Sequence, residues 1–424
     1  MTDATRKGPE MLDVVVHRVA SFRIDPHVLR RPGHRLVLVS TEAKHDYLSR
    51  TGYRDAFDEI CVLQDDFDEA ALTAAVRGIA GDFHLEEVAL LCHDEYALRT
   101  AAATRAELGL RGAKPADVSA FTDKAEMKKH LVAAGVRVPR FAVFDSSAYL
   151  AGRADYLDSL EDQVGFPAFV KPTGESGAVG VDHLASRQDL DVWAARAATQ
   201  SATGNTAEYE VDEFIDGTLY HVDTLMEEGR VLSVRCNRYL HPLAGYANGL
   251  VCSSYTLDEN EEVHSRLVAF NASVLEAYSD KPNSGAFHHE VFERADGELV
   301  FLEIAARAPA ALAPHTGRIR WGVDIEEAHF RLQQGEPLTI PASPGPYAAF
   351  IYYPKLEGTV ADITEPEVGT SSHVWMPNLS PGDSMTPSSD VRDFAAAVLL
   401  WNDDYDALRA DLDQLAQHQP VRAA

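Results

Sequence analysis

Cysteine is scarce in this chain and follows no metal-binding pattern. The four cysteines, Cys61, Cys92, Cys236 and Cys252, are scattered over 424 residues without a CxxC pair. Disulfide frameworks and structural zinc sites need cysteines at short, regular spacings. The sequence therefore predicts neither of them, and it indicates a reducing compartment.

Long apolar runs are also missing. The N-terminal segment MTDATRKGPEM lacks the apolar core of a secretory signal, and no run elsewhere reaches the roughly 20 residues that cross a bilayer. We therefore expect a soluble, cytoplasmic protein with no membrane as a partner.

Basic residues are few compared with acidic ones. Lysine and arginine number 38 against 66 aspartates and glutamates, which gives a formal net charge of −28. Nucleic acids and anionic membranes are bound by basic faces, so this balance argues against both as partners. A local basic cluster in such an acidic chain then predicts a site for an anion.

The first part of the chain predicts an open α/β domain. A chain of this length with 46% apolar residues has room for two or three domains. Four apolar runs predict buried parallel strands: LDVVV, RLVLVS, EICVL and VALLC. A helix is predicted over residues 68–79, and no GxGxxG fingerprint follows the first strand. His93-Asp94-Glu95 ends the fourth strand, where such sheets bind ligands, although Asp94 is also a typical helix cap.

Residues 122–141, TDKAEMKKHLVAAGVRVPRF, predict a helix. Thr122 or Asp123 caps it, and Gly135 ends it. Lys124 lies in the first turn, where the helix dipole disfavours a cation unless that cation faces an anion. We expect Lys128 and Lys129 to be ordinary surface lysines.

Residues 166–181, FPAFVKPTGESGAVGV, predict a phosphate-binding loop. A short strand ends at Lys171 and is followed by Gly174, Gly177 and Gly180. Glycines let backbone N–H groups approach phosphate oxygens, and the lysine adds a point charge. The lysine precedes the glycines, unlike in the Walker pattern. A glycine-rich hairpin turn is an equally good interpretation of this segment.

Residues 208–225, EYEVDEFIDGTLYHVDTL, predict two strands that meet at Gly217. Backbone groups of the first strand could hydrogen-bond the edge of a purine. For the acids Glu210, Asp212 and Glu213, exposure to solvent is the simpler expectation.

Residues 285–307, GAFHHEVFERADGELVFLEIAAR, predict a hairpin with its turn at Asp296-Gly297. Glu290 and Glu303 lie on its two strands among apolar residues. Neighbouring buried carboxylates need a cation between them, and hard oxygen ligands favour Mg²⁺. Arg307 follows four residues after Glu303, a position suited to phosphate oxygens. A solvated hairpin with surface acids is the alternative.

In their order and spacing, these four segments resemble the ATP-grasp superfamily, in the branch of carboxylate–amine ligases that includes the L-amino acid ligases. The resemblance covers roughly residues 115–335, about half of the chain. It implies a mixed α/β and α+β fold with three parts: an N-terminal open parallel α/β domain over 1–115, an ATP-grasp domain over 116–335 and a small C-terminal domain over 336–424.

The resemblance also implies roles for particular residues. The residues that would bind ATP, mainly through its phosphates and adenine, are Lys124, Lys171, Ser176, Gly177, Gly180, Asp212, Glu213, Phe214 and Ile215. Glu290 and Glu303 would hold Mg²⁺, with Mn²⁺ as an alternative ion. The residues that act on the reacting groups would be Arg307, Lys171 and His288, although His289 is adjacent to His288.

The implied activity is ATP-dependent joining of a small-molecule carboxylate to an amine through an acyl phosphate, with release of ADP and phosphate. Two alternatives stay open: a different acceptor, bicarbonate or a thiol, and a non-catalytic nucleotide-binding protein. The assembly, a homodimer included, is open as well.

This chain departs from the family pattern at several positions. Ala305 stands where relatives often have a metal-binding Asn, Leu219 where they often have Glu, and Ala310-Ala311 where they have Gly-Gly. After a proline-rich joint near residue 340, the segment AFIYYPKLEGTVADI predicts a hairpin.

Overall fold

The computed structural model describes residues 11–19, 21–64, 67–175, 180–203, 207–280 and 284–424. Its short 3₁₀ helices are Pro26–Leu29, Tyr53–Ala56, Leu85–Glu87, Glu95–Ala97, Ser119–Phe121 and Leu243–Asn248. Within these ranges, no helix has both the length and the apolar character that a membrane span requires.

The N-terminal part is a four-stranded parallel sheet in the order β3-β2-β1-β4. Its strands are β1 (Met11–His17), β2 (His34–Thr41), β3 (Glu59–Leu63) and β4 (Val88–Cys92), and its helices are α1 (Glu42–Thr51), α2 (Glu69–Ala80) and α3 (Leu98–Leu108). Val14, Val15 and Val16 are all fully buried, so both faces of β1 are covered, as in parallel sheets generally. The four predicted strands and the helix that Asp68 caps are confirmed.

The next part begins with helices and contains a small antiparallel sheet in the order β5-β8-β6-β7. Its elements are α4 (Pro115–Val118), α5 (Lys124–Ala133), β5 (Phe141–Val143), α6 (Ser146–Ala151), α7 (Arg153–Val164), β6 (Ala168–Pro172), β7 (Asp182–Leu184), α8 (Arg187–Ala202) and β8 (Tyr209–Glu213). Asp123 caps α5 by accepting from the backbone N–H of Glu126, and Gly135 follows the helix with φ +77°, as predicted.

An eight-stranded sheet forms the centre of the molecule, in the order β13-β12-β9-β10-β11-β14-β18-β16. Its strands and the helices between them are β9 (Thr218–Glu227), β10 (Arg230–Tyr239), β11 (Cys252–Thr256), α9 (Glu262–Ala277), β12 (Gly285–Glu293), β13 (Leu299–Ala305), α10 (Ala313–Trp321), α11 (Ile325–Gln333), β14 (Tyr347–Pro354), β16 (Ser372–Pro377) and β18 (Phe394–Asn402). Strands on both sides of residue 335 therefore share one sheet.

The chain ends with a smaller three-stranded arrangement, β17-β15-β19. It consists of β15 (Gly358–Ile363), β17 (Ser384–Met385) and β19 (Val421–Ala423), with α12 (Tyr405–Ala416) preceding the last strand. The predicted hairpin in AFIYYPKLEGTVADI is wrong, because β14 pairs with β11 and β18 while β15 belongs to this other sheet. Pro354, which has no N–H to donate, ends β14 at a register shift.

Candidate active site

The predicted hairpin of carboxylates is confirmed as β12 and β13. They pair antiparallel, and Glu290 lies directly opposite Glu303. The turn between them is closed by backbone hydrogen bonds from Arg294 N–H to the Glu298 oxygen and from Gly297 N–H to the Arg294 oxygen, and Gly297 adopts φ +85°. Directly opposed residues of an antiparallel pair project to the same face of the sheet, so the two carboxylates share one face.

A β-bulge next to Glu290 shapes this face. The register shifts so that Val291 pairs with Phe301, which leaves Leu302 unpaired between Phe301 and Glu303. In a regular strand, consecutive residues point to opposite faces, yet Leu302 and Glu303 both line the same cavity. The bulge therefore brings an apolar side chain beside the carboxylate pair, as bulges near active sites often do.

The carboxylates border a cavity of about 210 Å³. Its lining includes two lysines, Lys124 and Lys171, and six acidic residues, Glu175, Asp212, Glu213, Asp216, Glu290 and Glu303. Its apolar lining residues include Phe169, Val181, Phe214, Ile215, Leu219, Leu243, Phe292 and Leu302. Apolar walls with a few converging charged groups are typical of a site for a small molecule that has a flat ring and an ionic end.

Lys124 faces the carboxylates from the start of α5. Its ammonium lies 3.6 Å from Glu303 Oε2 and donates a hydrogen bond to the backbone oxygen of Glu175. Burial opposes the ionised form of Glu303, but Lys124, Lys171 and Arg307 outweigh that effect and hold the pKa of this carboxyl below its usual range. Glu303 is thus an anion that faces the Lys124 ammonium in the first turn of α5.

Lys171 belongs to a buried cluster of four charges. The Lys171 ammonium lies 2.9 Å from Asp212, and the Lys128 ammonium lies 2.8 Å from Glu210 and 2.6 Å from Asp212. Burial disfavours the charge on Lys171, but Asp212 and Glu210 raise the pKa of the lysine despite it. The same two lysines outweigh burial at Asp212 and lower the pKa of its carboxyl.

Two predictions about this cluster are wrong. Lys128 is not a surface lysine, because its side chain is 0% exposed, and Glu210 and Asp212 are buried rather than solvent-facing. Helix α5 covers the face of the small sheet on which both acids lie and supplies Lys128 to them. Lys124, Lys128 and Leu131 are spaced i, i+4 and i+7, so helical periodicity carried a signal that Lys128 shares the buried stripe.

His288 lies beside Glu290, whereas His289 points to the opposite side of β12. The Nε2 atom of His288 is 3.5 Å from Glu290 Oε1, and its Nδ1 donates to Asp223 Oδ1 at 2.7 Å. Burial lowers the pKa of His288, but its hydrogen bonds to Asp223 and Glu290 outweigh burial and raise it to about 9. His289 instead contacts Asn271, and burial lowers its pKa to about 3.

Asp223 connects two histidines behind the site. Its second oxygen accepts from His221 Nδ1 at 2.9 Å, and His221 Nε2 lies 2.8 Å from Ser254 Oγ. Burial favours the neutral form of Asp223, but the two histidines outweigh it and hold its pKa below the usual range. The Tyr239 hydroxyl donates to Glu290 at 3.0 Å, so Glu290 is held from two sides.

Arg307 lines a second cavity rather than the first. Its Nε donates to Glu95 at 2.7 Å, and it borders a cavity of about 120 Å³. Burial opposes the charge of Arg307, but Glu95, Glu303 and Glu290 outweigh it and raise the pKa of the guanidinium. Arg307 therefore interacts electrostatically with the carboxylate pair, while its side chain lines the second cavity.

The predicted site residues fall into three groups. Those that line the first cavity together are Lys124, Lys171, Asp212, Glu213, Phe214, Ile215, Glu290 and Glu303. His288 and Arg307 lie beside it, and Gly180 lies in the loop after β6 with φ +71°. Ser176 and Gly177 lie outside the described residues. The carboxylate of Glu213 accepts from Arg137 and from the Arg140 backbone.

Sequence reasoning missed several residues of the site. Besides Lys128, these are Asp223, His221 and Tyr239. They are joined to Glu290 only by contacts between distant strands, and no local pattern carries that information. Glu95, which the sequence places at the ligand-binding edge of the parallel sheet, pairs with Arg307.

Ala311 adopts a backbone conformation that suits glycine. Its φ is +54°, in the left-handed region. The left-handed conformation costs an L-residue about 1–2 kcal/mol, while glycine costs about 0.5–1 kcal/mol in chain entropy. The alanine at this position therefore carries local strain.

We expect opposite effects from two substitutions at Ala311. Ala311→Gly should leave the free energy of unfolding within about 1 kcal/mol of the parent, on the stabilising side, because it relieves the strain. Ala311→Val should lower it by about 1–3 kcal/mol, because a β-branched side chain fits this conformation worst. Urea unfolding of both variants measures this, and a glycine variant less stable than the valine variant would contradict it.

Known proteins resemble part of this sequence. The family model for the D-Ala-D-Ala ligase C-terminus matches residues 131–305. An L-arginine-specific L-amino acid ligase of Bacillus subtilis is 25% identical over 215 residues, which are 50% of this chain and 49% of that protein. The chain thus aligns with about half the length of this curated relative.

Solved structures match over nearly the whole chain. An L-amino acid ligase from Bacillus licheniformis superposes with a TM-score of 0.76 at 17% identity, covering 98% of this chain and 99% of the other. The biotin carboxylase domain of a 2-oxoglutarate carboxylase from Hydrogenobacter thermophilus, in complex with MgADP and bicarbonate, gives a TM-score of 0.68 at 15% identity, covering 97% and 91%. The chain has the ATP-grasp fold and is similar in sequence to carboxylate–amine ligases, which confirms the resemblance drawn from its motifs.

Proposed function

We propose that the protein is an ATP-dependent ligase that joins a carboxylate to an amine through an acyl phosphate. The observation that carries this proposal is the convergence of Glu290, Glu303, Lys124 and Lys171 on one cavity, with Arg307 lining a second cavity. The similarity to an L-arginine-specific L-amino acid ligase and to D-Ala-D-Ala ligases supports it.

The residues present fit a bound Mg²⁺. Glu290 and Glu303 offer carboxylate oxygens on one face, the hard ligands that this ion prefers, and Mn²⁺ accepts the same set. Ala305 supplies no further ligand, so these two residues would hold the ion together with phosphate oxygens. When bound, the ion would neutralise charge on the phosphates.

The other residues would bind and orient ATP. Phe169, Ile215, Leu219 and Leu302 are placed to enclose the adenine, and Lys124 and Lys171 to pair with phosphate oxygens. Because Asp212 already binds Lys128 and Lys171, its carboxylate would act chiefly by fixing Lys171. Glu213, Phe214 and the loop of Ser176, Gly177 and Gly180 complete the proposed nucleotide-binding set.

The reaction would proceed in two balanced steps. An oxygen of the substrate carboxylate attacks the γ-phosphorus, the bond to the β-phosphate oxygen breaks, and ADP leaves. The amine nitrogen then attacks the acyl carbon, loses a proton, and expels phosphate, which takes one original carboxylate oxygen with it. Arg307 and Lys171 would stabilise the charge on the transferred group, and His288, held by Asp223, would donate a hydrogen bond beside it.

The test is ADP release with pooled substrates. A pool of carboxylic acids without a free amine is supplied with a pool of amines, with bicarbonate or with thiols, and each class is omitted in turn; amino acids, which carry both groups, are tested as a separate pool. We expect ADP to form only when a carboxylate and an amine are both present. Release with bicarbonate or thiols alone would indicate a different acceptor. Stabilisation by ATP without release under any mixture would indicate a non-catalytic nucleotide-binding protein.

A further inference from the structure

The second cavity lies where five segments of the chain meet. These are the segments after β1, after β4 and after β13, helix α11 and the loop before β18. Of its lining residues, the proposed reaction uses only Arg307. The remaining charged residues are Arg23, Asp94, Glu95, Glu326, Asp390 and Arg392.

Each carboxylate of this cavity is already engaged by a donor of the chain itself. Their donors are the backbone N–H groups of Arg18 and Val19 for Asp94, the Arg307 guanidinium for Glu95, the Arg392 guanidinium for Asp390, and the backbone N–H of Arg23 for Glu326. Burial raises the pKa of Glu326 to about 7, which weakens its negative charge further. Because their carboxylates already accept hydrogen bonds from the protein, these acids do not require a cationic ligand.

Arg23 is the exception among the charges of this cavity. Its Nε and Nη1 donate to the backbone oxygens of Ala311 and Ser21, at 3.1 and 2.8 Å. Within the part of the chain that the structure describes, its Nη2 has no hydrogen-bond partner, and no carboxylate lies within 4.0 Å of its side-chain nitrogens. A guanidinium held by two carbonyls with its remaining arm free is suited to bind an anion.

His93 lines the same cavity and also has polar atoms without hydrogen-bond partners among the described residues. It is 5% exposed, stacks on Phe22 at 4.9 Å, and neither ring nitrogen has a hydrogen-bond partner among the described residues. Burial, together with nearby His17, His329 and Arg23, lowers its pKa, so the ring is neutral. A neutral imidazole offers one donor and one acceptor, and buried polar atoms of this kind normally find partners.

We propose that this cavity binds a substrate carboxylate that is not consumed in the reaction, with Arg23 as its cation and His93 as a hydrogen-bonding partner. The inference rests on the proposed ligase function. Because Arg307 lines the same cavity, a substrate could place its reacting end at Arg307 and its unreacted carboxylate at Arg23. Two kinds of substrate carry a carboxylate that does not react: an amino acid that serves as the amine substrate, and a carboxylate substrate with two carboxylates.

Matched ligand pairs test this proposal without turnover. Calorimetry on the protein with ADP and Mg²⁺ compares L-amino acids with their amides, and dicarboxylates such as succinate with their monoamides. The two members of each pair differ in one carboxylate. We expect at least one free acid to bind on the order of 10- to 100-fold more tightly than its amide, the range for a hydrogen bond to a charged group. The pair that shows the difference identifies the source of the carboxylate.

Variants of Arg23 assign the effect to this residue. Arg23→Gln should abolish the preference for the free acid, and Arg23→Lys should restore part of it. Arg35 is a partly exposed arginine that pairs with Glu59, and Arg35→Gln should leave the preference unchanged. The corresponding KM should rise by the same factor while kcat changes little. Equal binding of every acid and its amide, or a preference that survives in Arg23→Gln, would overturn the proposal.

The outcomes separate this inference from the proposed function. If no amine-dependent ADP release is found but Arg23-dependent binding of a carboxylate is, the cavity is an anion site and the ligase assignment fails. If the ligase reaction is found but Arg23→Gln alters neither binding nor KM for any substrate, only the assignment of this cavity fails.

Discussion

Glu303→Gln is expected to lower amine-dependent ADP release by at least about 10²- to 10³-fold, by analogy with the loss of one group that stabilises transition-state charge. Glu303 lies opposite Glu290 and 3.6 Å from Lys124, so the substitution removes one of two carboxylates from the proposed metal site. Glutamine has nearly the same size, and the fold should persist. Steady-state ADP release, with thermal unfolding as a check of folding, measures the effect.

Glu298→Gln is the matched control for this variant. Glu298 lies on the same hairpin at its exposed turn, where its ion pairs with Arg137 and Arg294 contribute little to stability. Its substitution should leave ADP release within about twofold of the parent, because it lies away from the cavity. Equal ADP release by Glu303→Gln and Glu298→Gln would contradict a role of the carboxylate pair in the reaction.

Lys128→Met is expected to lower the free energy of unfolding by about 3–5 kcal/mol, the usual cost of leaving buried charges without their partner. Lys128 is completely buried and binds both Glu210 and Asp212, which would keep only Lys171 as a counter-charge. The loss of Lys128 should also weaken ADP binding, because Asp212 would then hold Lys171 more tightly. Urea unfolding and ADP calorimetry measure the two effects.

Lys129→Met is the control that the sequence itself offers. Lys129 is the next residue of α5, is 57% exposed and pairs with Glu126 one turn away. Its substitution should cost less than about 0.5 kcal/mol. The double variant Lys128→Met/Glu210→Met should recover part of the lost stability, since it removes one unpaired carboxylate. Equal stabilities of Lys128→Met and Lys129→Met would contradict the account of the cluster.

Local patterns predicted those elements whose signal is local. The four parallel strands are short apolar runs, and the hairpin of Glu290 and Glu303 follows from alternation around Asp296-Gly297. Strand alternation likewise places His288, rather than its neighbour His289, on the face of Glu290, and the structure has His288 beside Glu290. Local patterns also predict the helix that begins at Lys124 and the strands that carry Lys171 and Asp212.

The failures share a different cause. The sequence pattern predicts that Glu210 and Asp212 are exposed, and this prediction is wrong. Their counter-ion, Lys128, is about 80 residues away in the chain and contacts them only because α5 packs on the sheet. Strand β14 was joined to β15 because they are neighbours in sequence, yet its partners are β11 and β18. The cavity around Arg23 is formed by distant segments, and no single stretch of sequence predicts it.

The central claim, an acyl phosphate formed at the carboxylate pair, has one direct test. The substrate carboxylate is labelled with ¹⁸O, and the phosphate released during amide formation is examined by mass spectrometry. The account predicts one ¹⁸O atom in each phosphate, because the carboxylate oxygen that attacks phosphorus leaves with it. Unlabelled phosphate accompanying labelled amide would contradict the account.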